Sequence, residues 1–317
     1  MKEYMIRSDL ANESLDELKE NKHYQREEIN QDGINIETFH ILQEHPSISQ
    51  KKGIYTEISF EDYHNSSISK QLTNTIKKLV GNNNPRIFIV GLGNQYLTSD
   101  AIGPRTLRDI RVTHYMEQLQ RNENHYYDTL ALIPGVTIQT GMESCDIIKS
   151  IVDQEKIDLV IVIDALCAKD YKKLCHVIQV NNVGIHPGHG IGNKRKAIDE
   201  KTIGAKVIAI GVPTVIYASS LVKQVIDTSY CYFGDQLKPE NILKVGQRKK
   251  YEGELSNQQK ELMFGQIGKL EGEKLEKLFQ EILVPIGQNL VLSDKQIDEQ
   301  CEIMSKIISE AINQLRC

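Results

Sequence analysis

The sequence predicts an α/β fold: a mostly parallel central sheet with helices on both faces, in three α/β/α layers. Two observations carry this. The runs Ile87–Val90, Leu159–Ile163 and Lys206–Ile210 are almost wholly apolar and rich in β-branched residues, as strands buried on both faces must be. Stretches with apolar residues at helical spacing lie between them, the alternation that builds crossover connections. At 317 residues the chain can form one large domain or two small ones, and no internal repeat divides it.

The elements follow in order. Residues 1 to 30 are polar, and Leu10, Leu15 and Leu18 predict an amphipathic helix from Leu10 to about Gln25, exposed or mobile at its start. Alternation in Ile34-Asn-Ile36 and Ile54-Tyr-Thr-Glu-Ile58 predicts strands between Gly33 and Phe60, with turns at His45-Pro46-Ser47 and Lys52-Gly53. Ser66–Val80 is a helix presenting Ile68, Leu72, Ile76 and Leu79. After Gly103-Pro104 a helical segment runs to about Leu119, and Tyr127–Ile133 is a strand. A helix opening at Thr140–Glu143 buries Ile147, Ile148, Ile151 and Val152. Leu159–Ile163 ends directly in Asp164, Cys175–Val180 is a further strand, and Lys206–Ile210 is closed by Gly211-Val-Pro213. From Ser219 to Gly253 come a helix and a polar connection. Leu275–Val284 is helical and broken by Pro285-Ile-Gly287, and a last amphipathic helix follows a capping-box spacing at Ser293 and Gln296.

The stretch from Arg86 to Gly103 organises the rest. A buried strand runs into Gly91 and Gly93, where the backbone turns tightly, and then into the polar cluster Asn94, Thr98 and Asp100. Ligands and chemistry sit beyond the carboxyl ends of strands in such sheets. Tyr96 occupies the place of the third glycine of a dinucleotide loop, which argues against a nucleotide. Asp164 repeats the arrangement of Asp100. Two facing carboxylates can split their pKa values, so that one activates water and the other protonates a leaving group. The bland reading is that Asp100 caps the next helix. His186 and His189 flank Pro187-Gly188 in a glycine-rich loop. They are either solvated, or one of them joins Asp100 and Asp164 in a two-carboxylate, one-imidazole metal site, although no ligand pair has helical spacing. Cys167 is a conceivable nucleophile or, more simply, a buried thiol. The run Lys194-Arg195-Lys196 is a solvated face or a grip for an acidic peptide.

Bulk properties exclude several classes. A net charge of −5 and a pI near 6.0 argue against a broad basic face for nucleic acid. No apolar run is long enough for a membrane span, and no signal-peptide core begins the chain. Six cysteines with no Cys-x-x-Cys and no metal spacing suit a reducing cytoplasm.

Read together, several motifs resemble the germination proteases of bacterial endospores. They are Val90-Gly-Leu-Gly-Asn-Gln-Tyr-Leu-Thr-Ser-Asp-Ala-Ile-Gly-Pro104, Pro134-Gly-Val-Thr-Ile-Gln-Thr-Gly-Met-Glu143 and Asp158-Leu-Val-Ile-Val-Ile-Asp-Ala-Leu166. Gly184-Ile-His-Pro-Gly-His-Gly-Ile-Gly-Asn-Lys-Arg195, Val207-Ile-Ala-Ile-Gly-Val-Pro-Thr-Val215 and the tail around Pro285-Ile-Gly-Gln-Asn-Leu290 complete the set. The resemblance implies a fold related to the hydrogenase maturation proteases, a homotetramer, a cytoplasmic (spore-core) location and synthesis as a zymogen. It also implies an atypical aspartic endopeptidase acting on small acid-soluble spore proteins, with no cofactor and no metal. The two family aspartates fall on Asp100 and Asp164; Asn94, His186 and Arg195 are candidate substrate-binding residues. Ser99, His189 and Tyr217 depart from the family pattern, and Ser219–Leu262 matches it poorly. A metal-dependent peptidase using the same aspartates, and a non-catalytic spore-protein-binding module, are the alternatives.

Family substrates are cut after an acidic residue followed by a large apolar residue, Ala, a variable residue and Glu. Asp9-Leu10-Ala11-Asn12-Glu13 repeats that order. The resemblance therefore implies self-processing between Asp9 and Leu10, with residues 1–9 a propeptide and 10–317 a single α/β protease domain. Asp9 as a simple helix cap is the competing reading.

Overall fold

The computed structural model describes residues 8–15, 22–45, 48, 50–81, 84–118, 126–187, 195–238, 251–283 and 290–316. The first half comprises α1 (Ala11–Leu15), β1 (Tyr24–Gln31), β2 (Ile34–Ile41), β3 (Gly53–Phe60), α2 (Ser67–Val80), β4 (Ile87–Gly91), α3 (Ile102–Leu107), α4 (His114–Gln118) and β5 (Thr129–Leu132). The second comprises α5 (Thr137–Thr140), α6 (Ser144–Glu155), β6 (Leu159–Ala168), β7 (Val177–Asn181), α7 (Glu200–Ile203), β8 (Lys206–Tyr217), α8 (Ala218–Gln236), α9 (Asn257–Phe264), α10 (Glu273–Leu283), β9 (Val291–Leu292) and α11 (Ile297–Asn313). The described residues fall into two compact units. One is drawn from Arg7–Ala168, Lys172–Val215 and Ser293–Cys317, the other from Lys169–Tyr171 and Ile216–Leu292.

The sheet of the larger unit has the order β1-β2-β3-β7-β8-β6-β4-β5. β4 lies parallel between β5 and β6, while β1, β2, β3, β7 and β8 pair antiparallel in succession. The three apolar runs are its centre. Alternation within β4 divides the core: Ile87 and Ile89 face α2, α3 and α11, and Phe88 and Val90 face α6 and α7. Both faces are therefore covered, as the near-continuous apolar runs require. In α2 the buried stripe is Ile68, Leu72 and Ile76, with Val80 rather than Leu79 completing it.

Several boundaries differ from expectation for physical reasons. The helix expected to reach Gln25 is described only over Ala11–Leu15; Tyr24 and Gln25 already belong to β1. That strand is almost wholly exposed and polar, so no periodicity marks it. It forms because Asp32 and Gly33, both at positive φ, make the tight turn that folds it onto β2. The segment after Gly103 is two helices, α3 and α4, and not one. β6 does not end at Asp164 but runs on to Ala168, and β8 passes through Gly211 and Pro213 to Tyr217. Pro213 is tolerated because its carbonyl is what is used, accepting a bond from Cys175 N–H at 2.8 Å. Ser293 forms no capping box: α11 is preceded by a turn in which Asp294 accepts from Gln296 N–H at 2.7 Å. The loop containing His189 and Lys194, the Pro285-Ile-Gly287 break, the Pro46-Ser47 turn and Leu119 lie outside the described residues.

In the smaller unit α8 carries a bond from Ser220 Oγ to Glu276 on α10, at 2.6 Å. Tyr230 meets Phe264 of α9 edge-on, and Ser256 and Gln259 form a full capping box at the start of α9. β9 pairs with Ile216 and Tyr217. Among the described residues no helix is long and apolar enough to cross a membrane.

Ile308 on α11 is fully buried against the sheet, whereas Ile29 on β1 is 52% exposed. Urea unfolding should show Ile308→Ala destabilised by about 2–5 kcal/mol, and Ile29→Ala by less than about 0.5 kcal/mol.

Candidate active site

The site begins with close backbone packing. A Cβ on Gly103 would meet Leu92 and Ile163 backbone atoms at 2.4–2.6 Å, and one on Gly91 would meet the Gly103 carbonyl oxygen at 2.5 Å. Both glycines are therefore needed to seat the start of α3 directly on β4 and β6. Gly93, at φ +110, turns the chain under Asp100, whose carbonyl oxygen would lie 1.9 Å from a Cβ there. Leu92 N–H donates to Ile163 C=O at 2.8 Å, which ties the two carboxylate-bearing segments together.

Asp100 sits in a short 3-10 turn, and α3 starts from Ala101 without any side-chain cap. The capping reading of Asp100 is thus not what the structure holds. Its Oδ2 accepts from Asn94 N–H at 2.8 Å. The turn is pinned from behind: Thr214 Oγ donates to Ser99 C=O at 2.5 Å, Thr98 Oγ to Asp298 Oδ1 at 2.7 Å, and Cys301 Sγ reaches Thr98 C=O at 3.5 Å. Asp164 lies inside β6, one residue past Ile163, the last partner of β4. It is 6% exposed and accepts from Ala165 N–H at 2.9 Å.

Burial, first of all, pushes Asp164 well above the ordinary carboxyl range; Asp100 and then Asp9 push it further, against Ala165 N–H and Arg195. Asp100 is also raised by burial, though Asn94 N–H and Arg195 favour its ionised form. The environments therefore separate the two acids: Asp164 is held protonated more firmly than Asp100. That asymmetry suits one proton donor and one base.

The N-terminal segment belongs to this site. Contrary to the expected exposure, Ser8, Leu10, Ala11 and Leu15 are buried. Even-numbered residues of β6 share one face. Val160 and Val162 enter the core there, Asp164 follows, and Leu166 and Ala168 then pack beneath Leu10. Asp9 N–H donates to Cys167 C=O at 3.1 Å, and Cys167 N–H donates to Asp9 Oδ2 at 2.9 Å. The Asp9 carboxyl is thus engaged by β6 and does not cap α1. Burial chiefly, with Glu13 adding to it, raises Asp9 to about 7.

Of the expected binding residues, Asn94 contributes its backbone N–H, while its side chain accepts from Tyr96 N–H and Gln139, each at 3.1 Å. Arg195 is half-buried and is the cation that acts on both aspartates. His186 is exposed in the loop. Lys196, beside Arg195, pairs with Asp146 at 2.8 Å. Cys167 is buried and meets Asp9 through its backbone. Among the described residues no group of His, Cys, Asp and Glu is arranged to hold a metal ion. Sequence reasoning missed Gln179, Glu57 and Lys173, which border the N-terminal segment. The available signal was a Gln inside Val177-Ile-Gln-Val180 and a Glu inside the strand Ile54–Ile58, polar residues where buried strands carry apolar ones.

The germination protease family model matches residues 2–316. A germination protease of Geobacillus sp. (strain WCH70) is 33% identical, the match covering 98% of this chain and 93% of that protein. Those of Priestia megaterium (strain ATCC 12872 / QMB1551) and Bacillus subtilis (strain 168) are each 32% identical, covering 99% and 98% of this chain and 94% and 93% of theirs. Among solved structures, a nickel–iron hydrogenase maturation protease from Thermococcus kodakarensis KOD1 is 13% identical, with a TM-score of 0.34 over 76% of this chain and 99% of that one.

Because the folded state holds the Asp9 proton to about 7, against 3.8 for the free group, folding takes up a proton between those values. Its contribution is full below the lower value and lost as pH rises through the upper one. In chain verified intact by mass, the wild type should lose more urea resistance between about pH 5 and about pH 8 than Asp9→Asn does. Equal losses would show that Asp9 does not titrate in this way.

Proposed function

The chain belongs to the germination protease family, and we propose that it is the endopeptidase that starts degradation of small acid-soluble spore proteins, made as a zymogen that cuts itself between Asp9 and Leu10. The observation that carries this reading is the placement of Asp9–Leu10 over the face of β6 that carries Asp164. In this reading the segment occupies the path a peptide substrate would take, near enough for the Asp9 charge to act on Asp164.

In this reading Asp100, whose ionised form is supported by Asn94 N–H and Arg195, takes a proton from a water molecule. The water oxygen adds to the Asp9 carbonyl carbon. Asp164, held protonated, gives its proton to the Leu10 nitrogen as the C–N bond breaks. The products are a carboxyl-terminal Asp9 and a free amine on Leu10, and the Asp100 proton returns to Asp164 or to solvent. Arg195 limits the accumulated negative charge. Asn94 and His186 border the substrate path, the enzyme works as a homotetramer in the spore core, and residues 10–317 form the mature protease.

Asp100→Asn and Asp164→Asn should each lower cleavage by about 100- to 10,000-fold with unchanged circular dichroism. Wild-type rates in either variant rule out the paired-aspartate mechanism. N-terminal sequencing of the activated chain should begin at Leu10, and Asp9→Ala should delay its appearance. A mature chain still starting at Met1, or starting well past Leu10, rejects the site. Activity should also survive extensive chelation; loss restored by one divalent ion would favour a metal held by the same aspartates.

A further inference from the structure

Strands β3 and β7 carry polar side chains in their buried interior. Glu57 is 0% exposed and Gln179 is 3% exposed. Burying such groups is costly unless they are bonded, and both are turned to the main chain of the N-terminal segment. Glu57 Oε1 accepts from Asn12 N–H at 2.8 Å. Gln179 spans the Asp9–Leu10 bond: Nε2 donates to the Asp9 carbonyl oxygen at 2.9 Å, and Oε1 accepts from Ala11 N–H at 2.7 Å. The second bond settles the first. Ala11 N–H can only donate, so the amide oxygen must face it and the NH2 group must face the carbonyl.

That carbonyl is the one the function above assigns to attack. We propose that Gln179 is a catalytic residue, the oxyanion donor for cleavage of the Asp9–Leu10 bond and of any peptide taking the same path. As water adds to the Asp9 carbonyl carbon, the π pair moves onto the oxygen, and Gln179 Nε2–H faces the charge that develops there. When the tetrahedral species collapses, the C=O bond reforms, the C–N bond breaks and the nitrogen takes its proton from the aspartate pair. A preorganised donor in a buried site strengthens as charge grows on the acceptor. The Ala11 N–H bond, one peptide unit beyond the reacting bond, keeps the amide aimed. This inference rests on the peptidase reading.

Assayed at a pH where the new buried carboxyl has lost its proton, Gln179→Glu separates chemistry from docking, since it keeps an acceptor for Ala11 N–H while losing the donor. Self-cleavage of the full chain is followed by intact mass, and docking by hydrogen exchange of residues 9–13. Gln179→Glu should release the nine-residue fragment about 100- to 1,000-fold more slowly, with Ala11–Glu13 protected as in wild type. Lowering the pH should partly restore the rate as the new carboxyl gains a proton and can donate. Gln179→Met should slow cleavage and also expose those amides. Wild-type rates in Gln179→Glu, or a loss that only tracks exposed amides, would reduce Gln179 to an anchor. A wild-type chain that cuts added protein but never its own Asp9–Leu10 bond overturns this inference and leaves the peptidase reading standing. One that cuts nothing removes the peptidase reading itself.

Discussion

The contact on which the site depends is backbone against backbone: Gly103, at the start of α3, against Leu92 and Ile163. No side chain fits between them. That closeness lets a turn after β4 bring Asp100 to the flank of β6, where Asp164 emerges beyond the last β4 partner. The remaining supports, from Thr214, Asp298 and Cys301, hold the turn in place, near enough for the Asp100 charge to act on Asp164. An apolar core on both faces of β4 makes this rigid, because neither helix layer can shift without opening close-packed contacts.

Three carboxyl groups and one guanidinium share this small buried region. Asp9, Asp100 and Asp164 cannot all ionise in a setting where burial already disfavours charge, and Arg195 compensates only part of it. Asp164, the deepest, carries the largest upward push. Burial is the main cause of that push, and the charges of Asp100 and Asp9 add to it.

Gln179 and Glu57 accept from Ala11 and Asn12 N–H in the first turn of α1, Cys167 bonds both the main chain and the carboxyl of Asp9, and Leu166, Ala168 and Val177 pack beneath Leu10. Ion pairing continues along the segment, with Lys173 within 3.7 Å of Glu13 and 3.9 Å of Glu57. Burial, chiefly, raises Glu57 to about 7, with Lys173 opposing it.

The amino-acid sequence by itself determined the central strands, the α/β layering, the α2 and α11 stripes and the two carboxylate positions. Each is written in a local pattern: a β-branched run, a 3.6-residue period, a glycine pair before Asp100. Only the tertiary structure decided the rest. β1 exists through its pairing with β2, and β6 and β8 outrun their apolar segments because each lies between neighbouring strands. The fate of Ser8–Leu15 was likewise out of reach. Its polarity reads as solvent exposure, yet its partners Cys167 and Gln179 come from strands more than a hundred residues away, 158 and 168 positions along the chain. Polarity tells that a group needs a hydrogen-bond partner; only the fold decides whether that partner is water or protein.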